Sequence, residues 1–203
     1  MDEGVSGHFQ DLEQQQAAGR LGMMVFIASE IMLFAGMFGL YFAYRIAYPG
    51  DFAHGVAGNL RWAGSLNTYL LLISSWCMAM ALARLRTGLG GANLFIAAAM
   101  LLGSLFLGIK SYEYLLHVSD RLVPGATTHS GQGSNAFIAL YFLMTGIHAL
   151  HIIVGLVLIV LAWPRAARGH PHRLEVAALY WHFTDLMWVF IWPLFYLLGR
   201  STP

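Results

Sequence analysis

Charged residues are scarce in this chain, and their scarcity excludes most soluble folds. Only 10% of the 203 residues are Asp, Glu, Lys or Arg, whereas 58% are hydrophobic. An average soluble domain has about 25% charged residues. A water-soluble protein of this length cannot bury so much apolar surface, so the sequence predicts a membrane protein. The net charge of +1, without a basic cluster, argues against a nucleic-acid partner.

Cysteine is almost absent as well. The single cysteine, Cys77, lies in an apolar run, which excludes a disulfide framework and a cysteine metal cluster. Serines are present at Ser29, Ser74 and Ser75, but no nucleophile elbow surrounds them. The sequence therefore indicates no nucleophile for hydrolysis.

The long apolar runs predict an all-α integral membrane protein. A helix needs about 20 apolar residues to cross a bilayer, and such runs favour helices over barrel strands. We predict a bundle of five transmembrane helices, at about 21–44, 65–83, 92–116, 136–163 and 176–198.

Residues 1–20 are polar and lack the basic start of a secretory signal, so we interpret them as an N-terminal tail. Two of the four predicted connections are short, which favours antiparallel neighbours and a single five-helix domain at 21–203. Orientation depends on the basic residues near the helix ends. The side of the N-terminus carries Arg20, Arg84, Arg86, Arg165, Arg168 and Arg173. The other side carries Arg45, Arg61, Lys110, Arg121 and Arg200. This small excess predicts a cytoplasmic N-terminus.

Several ionisable residues lie inside the predicted spans, where each costs at least about 2.5 kcal/mol. Glu30 lies near the middle of the first span. It is either a carboxyl in a proton pathway or a protonated acid that hydrogen-bonds a neighbouring helix.

The fourth span contains "FLMTGIHALHIIVG". Thr145, His148 and His151 follow one another at spacings of three and lie near one helical stripe, while Gly146 and Gly155 allow close helix approach. A shared metal ion is one hypothesis, but the spacing is not that of a zinc protease. Interhelical hydrogen bonding is the other, and we favour it.

The fifth span contains "YWHFTDLMW". His182 and Asp185 are three residues apart, so we expect them to share a proton or charge and to fix the rotation of the helix. Trp181, Asp185 and Trp188 are predicted to share one face.

Two further polar sites lie closer to predicted helix ends. We interpret Lys110 and Glu113 as an interfacial ion pair, with the lysine extending to the membrane surface. Asn67 and Thr68, at the start of the second span, are predicted to cap the helix or to bond across helices.

Five segments, spread over all five spans, together resemble subunit III of the haem–copper cytochrome oxidases. They are "SEIMLFAGMF", "LNTYLLLISS", "EYLLH", "TGIHALHIIVG" and "YWHFTDLMWVF".

The resemblance implies a helical accessory subunit of a bacterial inner-membrane oxidase. Such a subunit packs beside subunits I and II and carries no haem or copper of its own, since those cofactors belong to its partners. It supports stability and proton uptake of subunit I and binds phospholipid. The resemblance identifies Glu30 as the buried glutamate of the family and supplies no catalytic residue. Long members have seven spans and a lipid cleft; the five spans here resemble short bacterial members.

The sequence also allows other functions. A stand-alone proton-coupled carrier would use Glu30 and Asp185, although carriers commonly have repeated halves. A metalloenzyme would use His148, His151, His182 and Glu30. Relatives of subunit III also accompany nitric oxide reductases. The electron donor, cytochrome c or quinol, is not encoded in any residue identified here.

Overall fold

The protein is helical throughout the part of the chain that the structure describes. The structure is a computed structural model, and it describes residues 11–120, 122, 131–168 and 170–198. The six helices are α1 (Leu12–Ala47), α2 (Pro49–Gly58), α3 (Arg61–Thr87), α4 (Ala92–Ser119), α5 (Gln132–Ala166) and α6 (His172–Tyr196).

Helix boundaries follow local signals in the sequence. The side chain of Asp11 caps α1 by accepting a hydrogen bond from the backbone N–H of Gln14 at 2.7 Å. Helix α1 thus begins within the predicted polar tail, of which residues 1–10 lie outside the described residues. Pro49 begins α2, where its missing N–H is no loss. Gly88 and Gly91 adopt positive φ of 68° and 87° and make the turn from α3 to α4.

The prediction of helical membrane spans is confirmed for four helices. α1, α3, α4 and α5 are long and apolar enough to cross a membrane. α6 is not among them, so the count of five is not established by length and composition. Its lower hydropathy has a structural reason, because more than half of its 25 residues are buried among the other helices. A helix in the centre of a bundle can carry polar groups that lipid would reject.

Helix α2 was not predicted. It lies in the connection between the first two predicted spans, which end and begin at about residues 44 and 65. Phe52 and Val56 of α2 are buried, and the ring of Phe52 packs edge-on against Phe137 of α5 at 5.3 Å. Gly55 lies directly against the ring of Phe137, which leaves no room for a side chain. Tertiary packing therefore stabilises a ten-residue helix that would be marginal alone.

The helices pack around α6 and around one large side chain in particular. α3 packs against α4 and α6, α5 packs against α6, and α1 lies against α5 and α6. Trp181 of α6 is fully buried between two glycines: a Cβ on Gly103 would lie 2.6 Å from its ring, and one on Gly155 would lie 2.7 Å away. Gly155 thus allows close approach as predicted. Gly146 is less tightly packed, because a Cβ added there would meet only the Tyr114 hydroxyl, at an ordinary contact distance of 3.7 Å.

A charged cluster joins three helices at the end that contains the N-terminus of α1. Glu175 of α6 accepts from Arg20 of α1 at 2.7 Å and pairs with Arg86 of α3 at 3.0 Å. Partial burial raises the pKa of Glu175, but the hydrogen bonds from Arg86 and Arg20 outweigh this effect and leave the pKa below its ordinary value. The carboxylate is therefore charged at neutral pH and holds the two arginines together.

Substitution of Gly103 by alanine is predicted to destabilise the bundle. The new methyl group would collide with the Trp181 ring, which has little room to move because Gly155 also lies close to it. We expect a loss of about 1–3 kcal/mol, measured as a lower thermal denaturation midpoint in detergent. The matched control is Gly108→Ala on the same helix, where nothing lies within 4 Å of the added carbon. Equal loss in both variants would contradict the Trp181 contact.

Candidate functional site: the buried polar clusters

The most buried polar cluster joins α4, α5 and α6. Lys110 and Glu113 are 2% and 0% exposed and form an ion pair of 2.9 Å. The lysine also donates to the hydroxyls of Tyr141 at 2.8 Å and Tyr196 at 2.9 Å. Tyr196 in turn donates to the Glu113 carboxylate at 2.8 Å. Each charge is thus compensated inside the bundle, which is the condition for burying an ion pair.

The interfacial interpretation of this pair is wrong. Lys110 does not extend to the membrane surface; its ammonium group lies 4.5 Å from the centre of the Tyr141 ring, in the interior. The spacing of three residues indicated the pair, but the tyrosines that retain the lysine come from two other helices. No local pattern in the sequence identifies Tyr141 or Tyr196 as its partners.

A histidine continues this cluster towards the end of α4. His117 stacks on Tyr141 at 5.0 Å, and its Nδ1 lies 2.8 Å from the carbonyl oxygen of Glu113. Its Nε2 lies 3.0 Å from Asn59 Oδ1, and Asn59 donates to the carbonyl of Phe195 at 2.9 Å. Both ring nitrogens therefore face acceptor oxygens. His117 ends the segment "EYLLH", but no role was predicted for it or for Asn59. Together they hold the segment after α2 against α4 and α6.

A cavity opens beside His117. It measures about 220 Å³ and lies between α2, the end of α4 and the start of α5. Its lining includes Asp51, His54, Asn59 and His117.

Glu30 and His151 form a second, partly buried pair. Glu30 Oε2 on α1 lies 3.0 Å from His151 Nε2 on α5, and the side chains are 17% and 11% exposed. Because Nδ1 of His151 donates to the carbonyl of Ile147 at 2.8 Å, a single proton is left to be shared between Nε2 and the carboxyl. Glu30 thus contacts a neighbouring helix. Its role in a proton pathway stays a prediction.

The pairing of Glu30 with His151 was not predicted, although a signal existed. Both residues lie at a similar depth from the same predicted membrane surface. Residues at the same depth on two neighbouring antiparallel helices can come into contact. Spacing along one helix, the criterion applied to the sequence, cannot detect partners on different helices.

The stripe of Thr145, His148 and His151 separates into different environments. Thr145 bonds the Tyr114 hydroxyl at 2.6 Å. His148 is fully buried between Phe106 and Trp188, with ring centres 5.5 and 5.1 Å away. Neither of its ring nitrogens has a hydrogen-bond partner among the described residues.

No metal site emerges from these groups. Within residues 11–120, 122, 131–168 and 170–198, no group of three or more His, Cys, Asp or Glu is placed to hold a metal ion. The histidines of α5 point to different neighbours: His151 bonds α1, whereas His148 packs against α4 and α6.

The predicted direct pair of His182 and Asp185 does not form. His182 Nδ1 instead bonds Ser75 of α3 at 2.6 Å. Neither oxygen of the Asp185 carboxyl, which is 4% exposed, meets hydrogen-bond geometry with a described residue. His182 therefore bonds the neighbouring helix α3 and not the carboxyl on its own helix.

The tryptophans of α6 bind α3 as well. The indole of Trp181 donates to Ser74 at 3.1 Å, and that of Trp188 donates to Thr68 at 3.1 Å. Thr68 thus makes the interhelical bond, while the amide of its neighbour Asn67 is buried without a partner among the described residues. The hypothesis that Asn67 bonds across helices is wrong for this side chain.

The whole chain matches one family. The family model described as cytochrome c oxidase subunit III covers residues 2–200. The chain belongs to this family.

Relatives from two kinds of oxidase are similar to the chain. Cytochrome c oxidase subunit 3 of Thermostichus vulcanus is 29% identical over 187 residues, 89% of this chain and 87% of its own length. Quinol oxidase subunit 3 of Bacillus spizizenii is 30% identical over 200 residues, with 93% and 92% covered. Cytochrome c oxidase subunit 3 of Bacillus subtilis is 32% identical over 185 residues, with 88% and 86% covered.

These similarities confirm the resemblance and its broad functional consequence. The chain is a helical membrane protein of the subunit III family, whose members carry no redox centre; haem and copper belong to subunit I. Relatives of cytochrome c and quinol oxidases are similar at comparable identity, so the electron donor does not follow from this chain.

Replacement of Lys110 by methionine is predicted to be more harmful than replacement of the whole ion pair. Lys110→Met leaves the Glu113 carboxylate buried without its cation, and such a loss costs about 3–5 kcal/mol. The double variant Lys110→Met, Glu113→Leu removes both charges and should recover much of that loss. Thermal denaturation of the single and double variants measures the coupling. A double variant less stable than Lys110→Met would show that the charges do not compensate each other.

Proposed function

We propose that this chain is the accessory subunit III of a respiratory haem–copper oxidase in a bacterial inner membrane, bound to the subunits I and II that carry electrons to oxygen. The observation that carries the proposal is the family match over residues 2–200. The polar pairs inside the bundle are consistent with it, because they connect helices to one another. The chain would preserve the stability of subunit I and support its proton uptake.

We take α6 as the fifth span. Its 25 residues extend about 38 Å at 1.5 Å per residue, which exceeds the hydrocarbon thickness of about 30 Å. It also packs against α3 and α5, which are apolar enough to span. With α6 in the membrane, five long helices alternate in direction.

We place the N-terminus in the cytoplasm. Lys110 is buried in the bundle and does not count as a charge near a membrane surface. When Lys110 is left out of the count for the opposite side, the excess of basic residues on the N-terminal side becomes larger. On that N-terminal side, Arg20 and Arg86 bind Glu175. Basic residues close to helix ends favour the cytoplasmic side.

A groove between α1, α5 and α6 suits a phospholipid. Two adjoining cavities of about 530 and 210 Å³ share Arg173 and Val176. The outer one is lined by polar side chains such as Gln15, and the inner one by apolar ones such as Met23 and Leu158. A cation at the membrane surface above an apolar crevice matches a headgroup with its acyl chain.

Purification of the tagged chain from its native membrane in mild detergent tests the proposal. We expect haem absorption bands and two larger oxidase subunits in the purified material. The identity of the chains would also reveal the donor, since a quinol or a cytochrome c site belongs to them. A colourless chain alone would overturn the proposal and favour a stand-alone carrier.

Glu30→Ala is predicted to shorten the working life of the oxidase without changing its haem spectrum. The substitution removes the bond to His151 and loosens α1 from α5, but touches no redox centre. The measurement is the number of turnovers before activity is lost, together with the optical spectrum of the purified complex. The matched control is Ser29→Ala on the same helix, because the Ser29 hydroxyl bonds only the carbonyl of Phe26 within α1. Altered haem bands in Glu30→Ala would contradict the accessory role.

A further inference from the structure

The hydrogen bonds around the buried side chain of His117 require one proton more than a neutral imidazole carries. Nδ1 of His117 lies 2.8 Å from the carbonyl oxygen of Glu113, and Nε2 lies 3.0 Å from Oδ1 of Asn59. The amide of Asn59 is held in this orientation, because its Nδ2 donates to the carbonyl of Phe195 at 2.9 Å. Two acceptor oxygens therefore face the imidazole, whereas the neutral ring has a single N–H.

Neither neutral tautomer of His117 satisfies these contacts. A proton on Nδ1 alone leaves the lone pair of Nε2 facing the oxygen of Asn59, and a proton on Nε2 alone leaves Nδ1 facing the carbonyl of Glu113. Rotation of the Asn59 amide by half a turn would offer an N–H to Nε2, but it would direct the amide oxygen at the carbonyl of Phe195. The doubly protonated imidazolium donates at both nitrogens and satisfies every oxygen.

His151 makes a similar pair of contacts with a different consequence. Its Nδ1 also lies 2.8 Å from the carbonyl four residues earlier, but its Nε2 faces the carboxyl of Glu30. A carboxyl can carry the shared proton itself, so a neutral imidazole satisfies that pair. The amide oxygen of Asn59 does not take up a proton at neutral pH. The second proton therefore stays on His117.

The position of His117 in the fold favours a positive charge. The residue lies in the last turn of α4, where the helix dipole stabilises cations. Its ring also stacks on the ring of Tyr141 at a distance of 5.0 Å, and aromatic faces attract cations.

The charged and titratable groups of this region come from four helices. They are Lys110 and Glu113 of α4, Tyr141 of α5, Tyr196 of α6, and Asp51 and His54 of α2. Lys110 and Glu113 form an ion pair and compensate each other. The carboxylate of Asp51, which lines the same cavity as His117, is therefore the group that can balance an imidazolium.

The proton on His117 affects the position of α2. Asn59 directly follows this helix, and its amide ties the chain to α4 through His117 and to α6 through the carbonyl of Phe195. Loss of the second proton turns one of these hydrogen bonds into a contact between two acceptors. A helix of ten residues is marginal without tertiary contacts, so α2 would loosen and the cavity beside it would widen.

We propose that His117 is a proton-binding site whose imidazolium fastens the end of α2 to α4 and α6, and that loss of the proton to the cavity releases α2. The contact is strongest at low pH and weakens as the pH rises, because it needs both ring protons. The site itself does not depend on the proposed function. With the N-terminus in the cytoplasm, as proposed above, α2 lies on the outer side of the membrane and responds to the pH there.

Hydrogen exchange measured by mass spectrometry tests the proton-binding site in the full chain, purified from its native membrane in mild detergent. The protection of the α2 amides is compared at about pH 5.5 and about pH 8, on either side of the ordinary titration of imidazole. The data are corrected for the intrinsic change of amide exchange with pH. His117→Gln replaces the imidazole by an amide that does not titrate, and Asn59→Ala removes its acceptor. The matched control is His54→Gln, because His54 lines the same cavity from an exposed position.

In the native chain, we expect the protection of α2 to fall at least about tenfold from the lower to the higher pH, since a hydrogen bond from a charged donor is lost. His54→Gln should keep this response. His117→Gln should show equal protection at both pH values, and Asn59→Ala should show low protection at both.

Equal protection of α2 at both pH values in the native chain would overturn the proton-binding site. A pH response that persists in His117→Gln, or one that disappears in His54→Gln, would also overturn it. If His117→Gln does not fold, Asn59→Ala decides in its place, because a persistent response in that variant has the same meaning. Each of these results leaves the assignment to an oxidase untouched, since that assignment is tested by the co-purifying subunits.

Discussion

The buried ion pair of Lys110 and Glu113 is the interaction on which much of the bundle depends. Two opposite charges at almost zero exposure are tolerated only because Tyr141 and Tyr196 supply hydroxyls from α5 and α6. Neither lipid nor water reaches this site, so the three helices must keep one relative position to satisfy it. His117 then extends the same network to Asn59 and holds the segment after α2 in place.

Around this cluster, the helices pack by fitting large side chains against small ones. Trp181 occupies the space that Gly103 and Gly155 leave on two different helices, and its indole finds Ser74 on a third. Helices in lipid gain little from hydrophobic burial against one another, so close contact at small residues and interhelical hydrogen bonds must supply the stability. Trp188, two helical turns further along α6, also donates its indole N–H to a hydroxyl of α3, that of Thr68.

The distribution of polar groups agrees with an accessory subunit. Glu30 and His151 satisfy each other at an edge of the bundle, whereas the side chains of His148 and Asp185 are buried without partners among the described residues. These groups lie on different helices and face different neighbours, so they do not converge on a reaction centre. This arrangement is consistent with a member of the oxidase subunit III family, whose buried polar groups connect helices to one another.

The sequence by itself determined that this is a membrane protein, that it is helical, and which family it belongs to. Apolar runs and the order of motifs can be read along the chain without knowledge of tertiary contacts. It also indicated that Lys110 and Glu113 interact, since three residues along a helix bring side chains together. Only the tertiary structure decided that this pair is buried, that Glu30 meets His151, and that His182 bonds Ser75 instead of Asp185. It also showed the helix α2, which forms because Phe52 packs on Phe137. In each case the partner lies on another helix, and the relative rotation and depth of helices depend on packing of the whole bundle rather than on spacing within one segment.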